Sequence, residues 1–181
     1  MIRQGVLLAV LLTFCLTGPG LGGPLGAGQK GEKMTESKAM LMQPVGLVKK
    51  QGDRTFLEIK PEFAPALKGL EGFSHLWVIY WFHENDRPEG RATLQVHPRR
   101  DPANPLTGVF ACRAPERPNL IGLTAAKILK IEGNVVEVVG LDAREGTPIV
   151  DLKPYIPKGD AIPEAVNPEW VKRPRPTAGK E

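Results

Sequence analysis

This sequence predicts an all-β fold, a single small β-barrel domain with one short helix, and three observations lead there. Short apolar runs recur between turn-forming breaks, with 20 glycines and 18 prolines in 181 residues. Some of those runs alternate polar and apolar side chains, the period of a half-buried strand. Almost no stretch carries the period of an amphipathic helix. Many short strands with frequent turns favour a barrel or sandwich over helices layered on a sheet.

The elements can be taken in order. Residues 44–49 and 54–59 read as strands, with residues 50–53 supplying the turn. Residues 61–67 form the short helix, where Pro61 suits the first turn. Residues 76–82, Leu-Trp-Val-Ile-Tyr-Trp-Phe, are apolar without alternation and read as a strand buried on both faces. Residues 93–97 alternate as a half-buried strand does, and residues 106–112, 123–131 and 134–139 continue the series. Glu132-Gly133-Asn134 is the hairpin turn between the last two. Residues 142–148 form a loop, and Asp151 and Lys153 share one face of the extended segment that follows, which suits an ion pair.

The barrel is expected to span residues 40–166. Residues 1–27 resemble an export signal: Arg3 supplies a positive start, residues 6–16 are apolar apart from Thr13, and Gly20, Gly22, Gly26 and Ala27 are small. Phe14 stands where a lipoprotein would need a small residue before Cys15. Residues 28–39 read as a flexible linker and residues 167–181 as a disordered tail. A genuine leader implies an exported or periplasmic protein; translation from Met34 or Met40 implies a cytoplasmic one. With the leader removed, Cys112 is a single thiol, so no internal disulfide forms, and it reads as a small buried strand residue.

Several chemistries lack the residues they need. A Gly-x-Gly spacing occurs only around residues 20–26, where it follows no strand and opens no helix, so it is no dinucleotide fingerprint. A Gly-Lys-Ser/Thr phosphate loop is missing, and no nucleophile-elbow sequence supports a hydrolase. His75, His83 and His97 are scattered and no Cys pair accompanies them, so no metal is expected. No run of eighteen apolar residues suggests a spanning helix. The formal charge of +4 mildly favours anionic partners.

Two loops concentrate the polar chemistry. Arg113, Arg117 and Asn119 crowd Arg-Ala-Pro-Glu-Arg-Pro-Asn, where Pro115 and Pro118 fix the backbone and reduce the cost of ordering on binding. A guanidinium there either reads a carboxylate or phosphate through paired hydrogen bonds, or pairs with Glu116 or Asp142 and ties loops together. Glu145, Gly146, Thr147 and Pro148 crowd the second loop, where Gly146 permits close backbone approach and Thr147 offers donor and acceptor. His83 and Glu84 leave the apolar strand together and belong at a rim, either touching a ligand or solvated. Lys49, Lys50, Arg54, Arg87, Arg91, Arg99 and Arg100 scatter positive charge that fits a solvated surface better than a nucleic-acid track.

The ordered blocks Leu-Glu-Gly-Phe-Ser-His-Leu-Trp at residues 70–77, Trp81-Phe82-His83, and Gly108 onward through Arg-Pro-Asn and Gly-Thr-Pro to Lys153-Pro154-Tyr155 resemble the TsaA/TrmO family, over residues 44–160. The resemblance implies a β-barrel that binds S-adenosyl-L-methionine and methylates N6-threonylcarbamoyladenosine beside the anticodon of a tRNA, as a homodimer. It implies cofactor contacts at His83, Glu84, Arg113, Glu145, Gly146, Thr147 and Pro148, with Arg117 and Asn119 toward the RNA. The catalytic residue stays open, since methyl transfer can rest largely on alignment. The chain departs from the family at Glu84, where relatives often carry an amide, at Glu145 for Asp, and at Leu120 for Pro, which should loosen the loop. The early Pro-Arg-Gln loop is missing between residues 44 and 59, and the long C-terminal extension of some relatives is expected to be missing too. An exported barrel that binds without methylating is the alternative, because neither cofactor nor tRNA is plentiful outside the cytoplasm.

Overall fold

The computed structural model describes residues 40–172. Eight strands occur there: β1 (Gly46–Gln51), β2 (Arg54–Ile59), β3 (His75–Trp81), β4 (Gln95–Val96), β5 (Thr107–Gly108), β6 (Ile121–Glu132), β7 (Val135–Val139) and β8 (Pro148–Pro154). Six of them close an antiparallel barrel in the order β1-β2-β7-β6-β3-β8, while β4 and β5 pair as a separate ribbon. The all-β barrel is therefore what the turn-punctuated pattern predicted.

Alternation fills the interior. Val48 of β1, Leu57 and Ile59 of β2, Leu76 and Val78 of β3, Val136 and Val138 of β7, and Ile149 of β8 point inward and are buried. Branched side chains favour the pleated surface they pack on. β3 alternates too: Leu76, Val78 and Tyr80 are buried while Trp77, Ile79 and Trp81 are half-buried. The expectation of burial on both faces fails because, among the described residues, no second layer covers that face of the barrel. Trp77 is instead shielded by the Tyr155 ring, 5.4 Å away, and Trp81 donates its indole N–H to Asp86 at 3.0 Å.

The short helix at Pro61–Leu67 is a 3₁₀ helix, with Pro65 inside it, and it packs Leu67 and Phe63 against the core. Short α-helical turns at Pro88–Ala92, Pro157–Asp160 and Glu169–Lys172 are additional to the one helix expected. The last lies within the segment expected to be disordered, and the Val171 carbonyl accepts a hydrogen bond from Arg99 at 2.9 Å. The expected leader (residues 1–27), the expected linker (residues 28–39) and residues 173–181 of the expected tail lie outside the described residues. Among the described residues, no helix is long and apolar enough to cross a membrane.

Residues 93–97 and 106–112 shrink to two-residue strands, because Val109 turns into the core and Val109–Ala111 becomes a 3₁₀ turn. Cys112 consequently ends that turn half-buried rather than sitting buried in a strand. The expected Asp151–Lys153 ion pair forms at 2.8 Å. β1 and β2 join through a two-residue turn at Gly52 and Asp53, with Gln51 opposite Arg54, so no inserted loop departs from that hairpin.

One exposed pair gives a pH prediction. Arg54 bonds Glu137 through two parallel contacts of 2.7 and 2.8 Å across β2 and β7. The hydrogen bond from Arg54 holds the Glu137 carboxyl below its ordinary value. A carboxyl whose folded value is depressed contributes stability that is present above its unfolded value and is lost as pH falls through the folded one. Arg54→Gln should therefore lower the denaturant midpoint at neutral pH, and the gap to the parent should close in acid. Parallel urea titrations at the two pH values check this; a gap that persists in acid would assign the effect to packing.

Candidate functional site

The strand register opens the site. β6 pairs with β3 from Lys127 to Ile121, but with β7 only from Glu132 to Lys127. Beyond Val139 the chain turns away at Gly140, whose φ is +91°, so residues 121–126 of β6 have a sheet neighbour on one side alone. A hollow of about 930 Å³ lies along this seam. Its walls are the exit of β3, the free half of β6, the prolyl loop and the loop that returns to β8.

The two loops singled out in the sequence meet there. His83, Glu84, Arg113, Arg117, Asn119 and Thr147 all line the hollow. Glu145, Gly146 and Pro148 do not. Their backbone and side chains serve β1 instead: Lys50 donates its N–H to the Glu145 carboxylate at 2.5 Å, and Gly146 donates to the Val48 carbonyl at 2.8 Å. Thr147 accepts the Val48 N–H at 2.9 Å. Gly146 has a φ of +74°, a backbone conformation that favours glycine, and no other described atom lies near where a side chain would project.

Arg113 is exposed and makes no hydrogen bond or ion pair among the described residues, so the tether to Glu116 or Asp142 does not form. Glu116 lies 3.5 Å from Arg100 and accepts a hydrogen bond from Asn85 at 3.3 Å. Arg117 is committed to structure: it donates to the carbonyls of Ala114 at 3.3 Å and Val109 at 3.0 Å, holding the prolyl loop. Leu120 anchors that loop rather than loosening it, being fully buried, with its carbonyl accepting the Phe82 N–H at 2.7 Å. Glu84 forms an ion pair with Arg144, which joins the β3 exit to the opposite loop.

Sequence reasoning missed several lining residues. Tyr80 leans its ring across the seam and hydrogen-bonds Thr124 at 3.2 Å and Asp142 at 3.5 Å. Burial pushes the Tyr80 phenol above its ordinary value, partly offset by the Thr124 contact, so it is a proton donor at neutral pH. Gly122 lies directly opposite Tyr80 and gives the ring its space. The signals were a glycine inside a strand and one polar tip in an apolar run. Arg144 had no such signal. Five arginines (Arg87, Arg100, Arg113, Arg117, Arg144) face two carboxylates (Glu84, Asp142) around the hollow, a basic bias that suits anionic groups. Lys49, Lys50, Arg54, Arg91 and Arg99 do not line it.

A closed barrel with a basic, loop-walled hollow at an open seam defines a small β-barrel domain with one candidate ligand site. The chain belongs to the tRNA-methyltransferase O N-terminal domain family, whose model matches residues 33–161. A protein of Pyrococcus horikoshii named "Probable S-adenosyl-L-methionine-binding protein" is 42% identical over 127 residues, 70% of this chain and 90% of the relative. The human tRNA (adenine(37)-N6)-methyltransferase is 45% identical over 103 residues, 57% of this chain but 23% of that protein. The crystal structure of TrmO from Pseudomonas aeruginosa superposes with a TM-score of 0.59 at 30% identity, over 75% of this chain and 63% of that one. The chain thus spans nearly all of the archaeal relative and less than two-thirds of the solved structure.

Proposed function

We propose that this protein binds S-adenosyl-L-methionine in the seam hollow and methylates the N6 position of an adenosine in tRNA. The observation that carries the reading is Arg113, a guanidinium without a partner among the described residues, facing a hollow in a family with S-adenosyl-L-methionine-binding relatives. The residues fit the cofactor: about 930 Å³ is within the range of small-molecule sites, Phe82, Ile121 and Ala143 supply apolar wall, and Arg113 suits the single carboxylate. When bound, the cofactor supplies an activated methyl group; the protein's part is alignment of that group with an amino nitrogen. Of the other contacts, half-buried His83 and buried Thr147 line the hollow, and exposed Asn119, which also lines it, belongs to the proposal as a contact to the RNA. Glu145, Gly146 and Pro148 would act by shaping that wall.

N6-threonylcarbamoyladenosine is the substrate implied by the family resemblance, and a homodimer belongs to the same proposal. Titration calorimetry with the cofactor, followed by transfer of a labelled methyl group to unfractionated tRNA, tests the reading. Saturable binding with label in the tRNA is expected; no cofactor binding overturns it. Binding without transfer would favour the exported binding module that the leader suggests. The enzyme requires a cytoplasmic chain, so N-terminal sequencing should find a start at Met34 or Met40 rather than near Gly28. Sedimentation should give twice the chain mass.

A further inference from the structure

We infer that Asp142 is the catalytic residue that accepts the proton released when the substrate's amino nitrogen is methylated, an inference that rests on the reading above. N-methylation leaves a proton to be removed, and the hollow must offer an acceptor. Two carboxylates line it. Glu84 is committed to Arg144. Asp142 forms no ion pair with any described residue, and it stands where the chain leaves β7 and crosses the free half of β6.

A general base needs a group that orients it. Asp142 has one: Tyr80 lies 3.5 Å from Oδ1, and the same hydroxyl is 3.2 Å from Thr124 Oγ1. Tyr80 is itself fixed, because its buried ring lies against the backbone of Gly122. The chain Thr124–Tyr80–Asp142 therefore runs from the barrel wall to one carboxylate facing the hollow. The second oxygen of Asp142 accepts no hydrogen bond among the described residues. The rival acceptor is His83, which lines the same hollow but has no orienting hydrogen bond among them.

The step balances as follows. The N6 nitrogen of the adenine, which carries one hydrogen in the threonylcarbamoyl form, forms the new C–N bond with the methyl carbon. The S–CH₃ bond breaks with its electron pair left on sulfur, which becomes a neutral thioether. The N–H proton passes to an oxygen of Asp142 and from there to water, restoring the carboxylate. Tyr80 keeps its own proton throughout and acts as a positioning residue.

The experiment uses the full chain and compares Asp142→Asn with Tyr80→Phe and His83→Gln. For Asp142→Asn we expect kcat to fall about 100-fold or more, within the range for general-base catalysis. The calorimetric Kd for the cofactor and the Kd for tRNA should stay within about twofold of the parent, and the urea midpoint should hold. Tyr80→Phe should lower kcat less than Asp142→Asn does, with cofactor Kd unchanged. A weakened cofactor Kd in Asp142→Asn would make Asp142 a counter-ion of the bound cation and overturn the inference. So would an unchanged kcat, or a larger loss in His83→Gln than in Asp142→Asn. If the parent chain binds no cofactor or transfers no methyl group, the functional reading itself falls. The variants thus separate the two failures.

Discussion

Gly122→Val is expected to destabilise the barrel by about 3 kcal/mol, at the upper end of typical overpacking costs. Tyr80 and Gly122 are direct partners across β3 and β6. A side-chain carbon at position 122 would stand 2.3 Å from Cε2 and 2.5 Å from Cζ of the Tyr80 ring. The ring cannot swing aside cheaply, because Tyr80 is 5% exposed and would surrender its contact with Thr124 and its edge packing on Phe82. Adding Tyr80→Leu to the same chain removes the clashing edge and should recover part of the loss. Equilibrium urea unfolding of the single and double variants measures both. A cost below about 0.5 kcal/mol, the scale of an ordinary surface change, would show that the ring is free to move.

The second large effect concerns binding rather than folding. Arg113→Ala should weaken the cofactor by about 10- to 150-fold, which corresponds to about 1.5–3 kcal/mol for a charged hydrogen bond. Arg113 is exposed and makes no hydrogen bond or ion pair with a described residue, so its removal should leave the unfolding midpoint in place. Arg113→Lys should fall between, since lysine keeps the charge but not the planar fork that grips a carboxylate twice. Calorimetry on the three proteins decides the matter. Equal affinities would remove Arg113 from the site and shift attention to Arg87 or Arg100 on the same hollow.

The barrel was legible because strand alternation and turn residues are local signals. Glu132-Gly133-Asn134 marked a hairpin, and the register confirms it with Glu132 opposite Val135. The apolar run of β3 misled about its outer face, since three aromatic or branched residues on that face are only half-buried. Composition reports how apolar a side chain is, not whether a second layer arrives to cover it. The ribbon of β4 and β5 was read too long for a similar reason: Val109 follows the core rather than the alternation.

The site was half legible. Two loops rich in arginine, glycine and threonine were identified, and the fold brings parts of both to one hollow. Which parts could not be read. Glu145 and Gly146 look like ligand contacts in sequence, yet they are tied to Lys50 and Val48 of β1. Arg113 and Arg117 look equivalent, yet one is without a partner among the described residues and the other holds two carbonyls.

The sequence alone determined the strand series, most of the turns and the family to which the barrel belongs, because each rests on residues adjacent in the chain. Only the tertiary structure decided where the sheet parts, and so which side chains share a space. β7 leaves β6 at Val139, and the gap that follows is set by pairing between segments far apart in sequence. Tyr80, Gly122 and Asp142 become neighbours through that gap, a consequence of register that no local pattern encodes.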